Sequence, residues 1–330
     1  MGDYDYLIDP ELSGAPGLTG LPDLDETTLG VARDALLRMY GQPGPDMGER
    51  REIWIDRSAG KPRLKLLIYV PDAPVDQPRS AIYHIHGGGY VLGSALMSDT
   101  VNRLRAHDHN AVVASVDYGV SPESAFPEPV EDCYDGLTWL FNNAADLGVD
   151  PARIVVIGES AGGGLAAALC LLARDRSEVT PAAQFLIYPM LDYRTGSADD
   201  VYRNPTTGNV GWSRRNNQFG WKSLRGSSEI PQERVGHFSP SLVAELVELP
   251  PTFIATGALD LFLDECVNYA MRLSHAGVPI ELHVYPGAPH GFDGMCPDAE
   301  ISKSFEHDRD RALNRALRKS EGGRNEMHAD

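Results

Sequence analysis

Cysteine is scarce and scattered in this chain of 330 residues. There are four, Cys133, Cys170, Cys266 and Cys296, and no C-x-x-C pair. That excludes a disulfide scaffold and a cysteine-built zinc site. Cys133, Cys170 and Cys266 fall in helix-like segments and read as small core residues, with reduced thiols expected. Positive charge is also short. Lysine and arginine total 29 against 47 acidic residues, a formal net charge of −18. A field of that sign repels nucleic acid and anionic membranes, and its simplest use is solubility. No apolar run approaches the length of a membrane span. The first ten residues are acidic and lack an apolar core, so they do not read as a secretory signal. Met1-Gly2 is followed by Tyr6 where a myristoylation signal needs Ser or Thr. The expected location is the cytoplasm. Neither a G-x-x-x-x-G-K-[ST] phosphate loop nor an H-E-x-x-H metal helix occurs, and no cofactor or metal is expected.

What is present is the composition of a globular enzyme, 42% hydrophobic and 23% charged. The length suits one large core with an added subdomain. Strand patterns fall at 51–56, 63–70, 81–85, 111–117, 153–157, 183–189, 252–256 and 280–285. The third to seventh are near-continuous apolar runs, as in a parallel sheet buried on both faces. The first two alternate more, as an antiparallel edge hairpin does. Helical patterns lie at 98–109, 129–146, 161–174, 264–276 and 301–319. This alternation predicts an α/β fold: eight strands, mostly parallel, with right-handed crossovers and helices on both faces.

Two segments break the alternation. Residues 23–40 read as an amphipathic helix with Leu29, Ala32, Leu36, Leu37 and Tyr40 on one face. Residues 191–238 intervene between two strands and carry Trp212, Phe219 and Trp221. An insertion of that length is functional or forms its own structure, and its aromatic content argues against disorder. The expected division is a cap from 1–50 and 191–238 over a core from 51–190 and 239–330.

The chemistry is concentrated in short motifs. Gly158-Glu159-Ser160-Ala161-Gly162 follows the apolar run 153–157 and opens into the helical run 165–173. Strand, G-x-S-x-G, helix is a nucleophile elbow, a sharp turn that exposes a serine above a sheet. The motif alone is common. Two further features strengthen it: His86-Gly87-Gly88-Gly89 after a strand, and the chain order Ser160, Asp260, His290. Ser160 is the candidate nucleophile, since a serine hydroxyl needs a base to become reactive. His290, in a Pro- and Gly-bounded loop after the last strand, is the candidate base. Histidine as a residue type can take and return a proton near neutral pH. The chain has ten histidines; seven of the others fall in helices, strands or the C-terminal region, and His237 at the boundary of the insertion. His86 belongs to the glycine loop, where an anchoring role fits better. Asp260, just past the seventh strand, is the candidate orienter of the imidazole, with Asp264 as rival. Gly88, Gly89 and Ala161 are the candidate oxyanion donors, because acyl transfer builds negative charge that preorganised N–H groups stabilise.

These residues resemble the hormone-sensitive-lipase-like family of α/β-hydrolase esterases. The matching stretches are His86-Gly-Gly-Gly89, Asp117-Tyr118, Pro122-Glu123, Phe126-Pro127, Gly158-Glu-Ser-Ala-Gly162, Asp260 with Asp264-Glu265, and His290-Gly-Phe292. The chain departs from the family pattern at Gly119-Val-Ser121, at Leu261-Phe-Leu263 and at Tyr90. The resemblance implies an α/β-hydrolase fold, a cap built from the N-terminal segment and an insertion after the sixth strand, and the triad Ser160, Asp260, His290. It also implies Gly88, Gly89 and Ala161 as the oxyanion hole, hydrolysis of short- to medium-chain esters without a cofactor, and a possible homodimer. A non-catalytic small-molecule receptor and an acyl hydrolase for amides or lactones are the alternatives.

Overall fold

The eight strand patterns become one sheet because each apolar run has two faces to bury. In the computed structural model, which describes residues 4–318 apart from 43, 58–59 and 75–76, the strands are β1 (Glu49–Ile55), β2 (Leu64–Val70), β3 (Arg79–Ile85), β4 (Val112–Asp117), β5 (Val149–Glu159), β6 (Ala183–Ile187), β7 (Thr252–Gly257) and β8 (Ile280–Tyr285). Their spatial order is β1-β2-β4-β3-β5-β6-β7-β8. β2 is antiparallel to both β1 and β4, and every other pairing is parallel. This is the α/β-hydrolase fold.

The helices are α1 (Leu29–Tyr40), α2 (Asp99–His109), α3 (Glu128–Asn142), α4 (Ala161–Arg176), α5 (Arg214–Arg225), α6 (Val235–Phe238), α7 (Leu263–His275), α8 (Phe292–Met295) and α9 (Glu300–Leu317). Successive residues of a strand point to opposite faces. Thus Ile154 and Val156 of β5 join the core under α3, α4 and α7, while Val155 and Ile157 join the core under α2 and α9. The strands at the sheet centre have no solvent face, which is why they read as unbroken apolar runs. Among the described residues, no helix is long and apolar enough to cross a membrane.

Several sequence expectations need correction. Of the first two strands only β1 alternates. β2 is buried on both faces, with Leu66 and Ile68 in one core and Leu67 and Tyr69 in the other. It sits inside the sheet, between β1 and β4. The helix expected from residue 23 begins at Leu29. The Asp25 carboxylate accepts the N–H groups of Thr27 and Thr28 and the Thr27 hydroxyl, and this side-chain turn competes with helical hydrogen bonding. On α1, Leu29 is buried and Ala32 and Leu36 are partly so, but Leu37 and Tyr40 are exposed, which narrows the apolar stripe. Residue 319 of the last expected helix, and residues 1–3, 43, 58–59, 75–76 and 319–330 of the expected domains, lie outside the described residues.

The N-terminal segment and the insertion meet through a buried amide, besides an exposed Arg215–Asp23 ion pair at 2.8 Å and a Gly211 N–H to Leu18 carbonyl bond at 3.4 Å. Asn216 of α5, fully buried, accepts the Leu24 N–H at 2.8 Å and donates to the Pro22 carbonyl at 3.2 Å.

Candidate active site

Ser160 stands between the end of β5 and the start of α4, with φ 57° and ψ −119°. A non-glycine residue in that region costs on the order of 1–3 kcal/mol and persists only where its surroundings over-determine it. Here they do. The Ser160 N–H donates to the Ile187 carbonyl at 2.9 Å, and its carbonyl accepts from Gly164 at 3.0 Å and Met190 at 3.1 Å. The glycine two positions after the serine lets the layers close on this turn. A Cβ at Gly162 would stand 2.1 Å from the Ile85 carbonyl oxygen at the end of β3.

The loops after β7 and β8 bring two side chains to the same point. Ser160 Oγ lies 2.9 Å from His290 Nε2, and His290 Nδ1 lies 2.8 Å from Asp260 Oδ2. A carboxylate only accepts, so Nδ1 carries the hydrogen and Nε2 is left to accept from the serine hydroxyl. Asp260 is fully buried, and its other oxygen accepts the Phe262 N–H at 2.9 Å. Asp264 is engaged elsewhere, accepting from Asn204 Nδ2 at 2.9 Å. Phe262 and Tyr188 set ring edges against the imidazole at centroid distances of 5.1 and 4.7 Å. Ser160 and His290 are 8% and 9% exposed, enough contact with the cavity for a small molecule to reach them.

That cavity, of about 300 Å³, is lined by Gly87, Gly88, Gly89, Ser160 and His290 and roofed by Leu21, Leu36 and Trp212. Gly89 has φ +58°, and a Cβ there would meet the Trp212 ring at 2.4 Å. Among the described residues, the N–H groups of Gly88, Gly89 and Ala161 donate to no protein acceptor. Ala161 is buried at the first position of α4, where the helix dipole adds positive potential. Of the six residues singled out from the sequence, Gly88, Gly89, Ser160 and His290 line this cavity, while Asp260 lies behind His290 and Ala161 directly follows Ser160.

Sequence reasoning missed the layer beneath. Glu159 pairs with Arg105 at 2.6 Å and His84 at 3.0 Å. His84 Nδ1 in turn lies 2.8 Å from Ser115 Oγ and 3.0 Å from Asn102 Nδ2. Burial alone would raise the Glu159 carboxyl, but the charge of Arg105 and the His84 contact hold it well below the usual range. The signal available was a histidine inside the apolar run 81–85, which has to find a buried polar partner. His86 behaves differently. Its Nδ1 donates to the Gly87 carbonyl at 2.8 Å and its ring stacks on Tyr118 at 4.2 Å. Burial drives its pKa down to about 4, so it is neutral at pH 7.

A family model described as an α/β-hydrolase fold matches residues 82–294. The chain is an α/β hydrolase. Within that family it is similar to the carboxylic ester hydrolase LipN of Mycobacterium tuberculosis, with 34% identity over 84% of this chain and 73% of the relative. It is 33% identical to an ethyl acetate hydrolase of Pseudomonas putida, over 70% of this chain and 72% of that one. Among solved structures, a bacterial heroin esterase superposes with a TM-score of 0.86 at 37% identity, covering 95% of this hydrolase and 99% of the other chain. These relatives agree with the hormone-sensitive-lipase-like resemblance carried by the hydrolase's motifs.

Proposed function

We propose that this hydrolase is a serine carboxylesterase acting on short- to medium-chain carboxylic esters through an acyl-enzyme. The observation that carries the reading is the continuous chain from Ser160 Oγ to His290 at 2.9 Å and on to Asp260 at 2.8 Å. The esterase names of the relatives support an ester as the substrate class.

His290 Nε2 takes the Ser160 proton as Oγ attacks the ester carbonyl. The Asp260 carboxylate stabilises the imidazolium that forms. The carbonyl electron pair moves to oxygen, which rests on the N–H groups of Gly88, Gly89 and Ala161. A donor of this kind contributes roughly 2.7–4 kcal/mol to the transition state. The tetrahedral centre collapses, His290 gives its proton to the departing alkoxide, and the alcohol leaves. Water then enters, is deprotonated by the same imidazole and releases the acid. The Ser160 proton departs with the alcohol and a proton of the attacking water, passed through His290, replaces it on Oγ, so the cycle closes on ester and water alone.

Residues 1–50 and 191–238 act in this reading as a cap over the core formed by 51–190 and 239–330. Leu21 and Leu36 from the first piece and Trp212 from the second supply the roof of the cavity. The modest volume favours short acyl groups. A cytoplasmic location fits the free state of all four cysteines. A homodimer in solution is part of the same proposal, and sedimentation equilibrium tests it.

Ser160→Ala is expected to abolish turnover of p-nitrophenyl acetate while leaving the circular dichroism spectrum and melting temperature near wild type. An organophosphonate should label the wild type stoichiometrically at Ser160. Retention of most activity in the variant sinks the assignment.

A further inference from the structure

The cavity above Ser160 has a neighbour. A second cavity, of about 470 Å³ and larger than the first, lies against α2, α8 and α9 and the ends of β3 and β5. The two share one wall, since Gly87, Met97, Ser98, Glu159 and Tyr188 border both. Only three of these carry side chains long enough to block passage. The Glu159 carboxylate is held on the second cavity's side by Arg105 and His84, which line that cavity, so it is not free to swing across the wall. The barrier is therefore Met97 and Tyr188.

Tyr188 is held rigidly. Its hydroxyl donates to Asp293 Oδ1 at 3.1 Å, its N–H to the Ala255 carbonyl at 2.6 Å, and its ring edge rests on His290. Its φ is +35°, a left-handed value that a residue with a side chain adopts only under constraint. Such outliers cluster where function requires a side chain in one place. Met97 is the opposite: a partly exposed, unbranched thioether with freely rotating bonds.

The imidazole identifies which arm of the ester meets this wall. The leaving oxygen must lie at His290 Nε2 to receive its proton. Tyr188 packs on that same ring, so the alcohol arm starts out beside it.

We propose that Tyr188, with Met97 as its movable partner, is the partition that limits the size of the alcohol arm by closing the larger cavity to it. The proposal rests on the esterase reading above and makes Tyr188 a specificity-determining residue rather than a member of the triad.

The test is kcat/KM for the acetates of ethanol, butanol, hexanol and octanol, followed by acetate release. Wild type, Tyr188→Phe, Tyr188→Ala and Met97→Ala are compared, and ethyl esters of lengthening acids serve as a parallel series. Wild-type values should fall along the alcohol series. Tyr188→Ala should raise the octyl-to-ethyl ratio by about tenfold or more, in the range that pocket contacts supply. Tyr188→Phe keeps the ring and should keep the wild-type ratio, and Met97→Ala should raise the ratio by less than Tyr188→Ala. An unchanged ratio in both alanine variants overturns the partition, and a shift confined to the acyl series overturns its assignment to the alcohol arm. If Tyr188→Ala fails to fold, Met97→Ala decides alone. Absence of turnover of any ester by wild type ends the esterase reading itself, which is distinct from turnover with an unaltered profile.

Discussion

The loop after β3 and the loop after β8 each bring a buried histidine, with glycine beside it, to the same edge of the sheet. In the first, His86 spends its Nδ1 hydrogen on the neighbouring Gly87 carbonyl and lies flat on Tyr118. Its other nitrogen is buried and has no partner among the described residues. In the second, His290 has a carboxylate on one nitrogen and a hydroxyl on the other. Burial and glycine context are shared, so neither distinguishes a base from an anchor. The difference lies in what stands at each nitrogen: a backbone carbonyl fixes a ring in place, whereas an ionised acid behind it readies it to accept a second proton.

The sharpest way to break this comparison is to delete each ring. His290→Ala is expected to lower kcat for p-nitrophenyl acetate by about 10⁶-fold, the scale on which loss of a triad base is felt. His86→Ala should retain far more activity, with its effect appearing in stability because a buried ring and its stacking partner are lost. Equal losses of kcat in the two variants would erase the distinction. A smaller effect separates the two acids that follow β7, Asp260 in the loop and Asp264 in the first turn of α7. Asp260→Asn should cost about 10⁴-fold in kcat, because an amide at that position supports the wrong tautomer. Asp264→Asn should stay within about threefold, as its carboxylate accepts from Asn204 and the carboxylate on His290 comes from Asp260. If Asp264→Asn proves the more damaging of the pair, the geometry has been misread.

A pH dependence of folding tests the anchoring histidine without reference to turnover. The His86 pKa is lowered to about 4 in the folded chain by burial, against about 6.5 for an unperturbed histidine. The unfolded chain therefore binds more protons between these values, and stability rises with pH there. The His86 contribution is complete above pH 6.5, is lost as the pH falls towards 4, and amounts to roughly 3 kcal/mol. Urea midpoints measured from pH 7 to pH 4 should fall more steeply for wild type than for His86→Phe. Parallel curves would show that the ring does not carry the effect.

The strands and the sheet-edge motifs were legible in the sequence for a shared reason. Both are written in local patterns: apolar runs such as Ile154–Ile157 for the sheet, and glycine punctuation around Ser160 and after His86 for the turns. What escaped depends on distant partners. The start of α1 was obscured because one carboxylate, Asp25, captures the preceding backbone. The burial of β2 depends on the helices that cover it and on its place between β1 and β4. Glu159 occupies the variable position of the elbow motif, and only the fold shows that Arg105 and His84 wait beneath it. Tyr188 gave no sign at all, since a positive φ on a tyrosine follows from surroundings assembled from β6, β7, α8 and the His290 loop.

Asn216 joins two stretches of chain almost two hundred positions apart with bonds in both directions. With the Arg215–Asp23 ion pair and the Gly211–Leu18 backbone bond, this amide ties the ceiling of the reaction chamber into one mechanical body. Any opening that admits a substrate has to lift Leu21 and Trp212 together or sever those links, and grafting the insertion from a relative without its matching N-terminal segment would remove one partner from each of them.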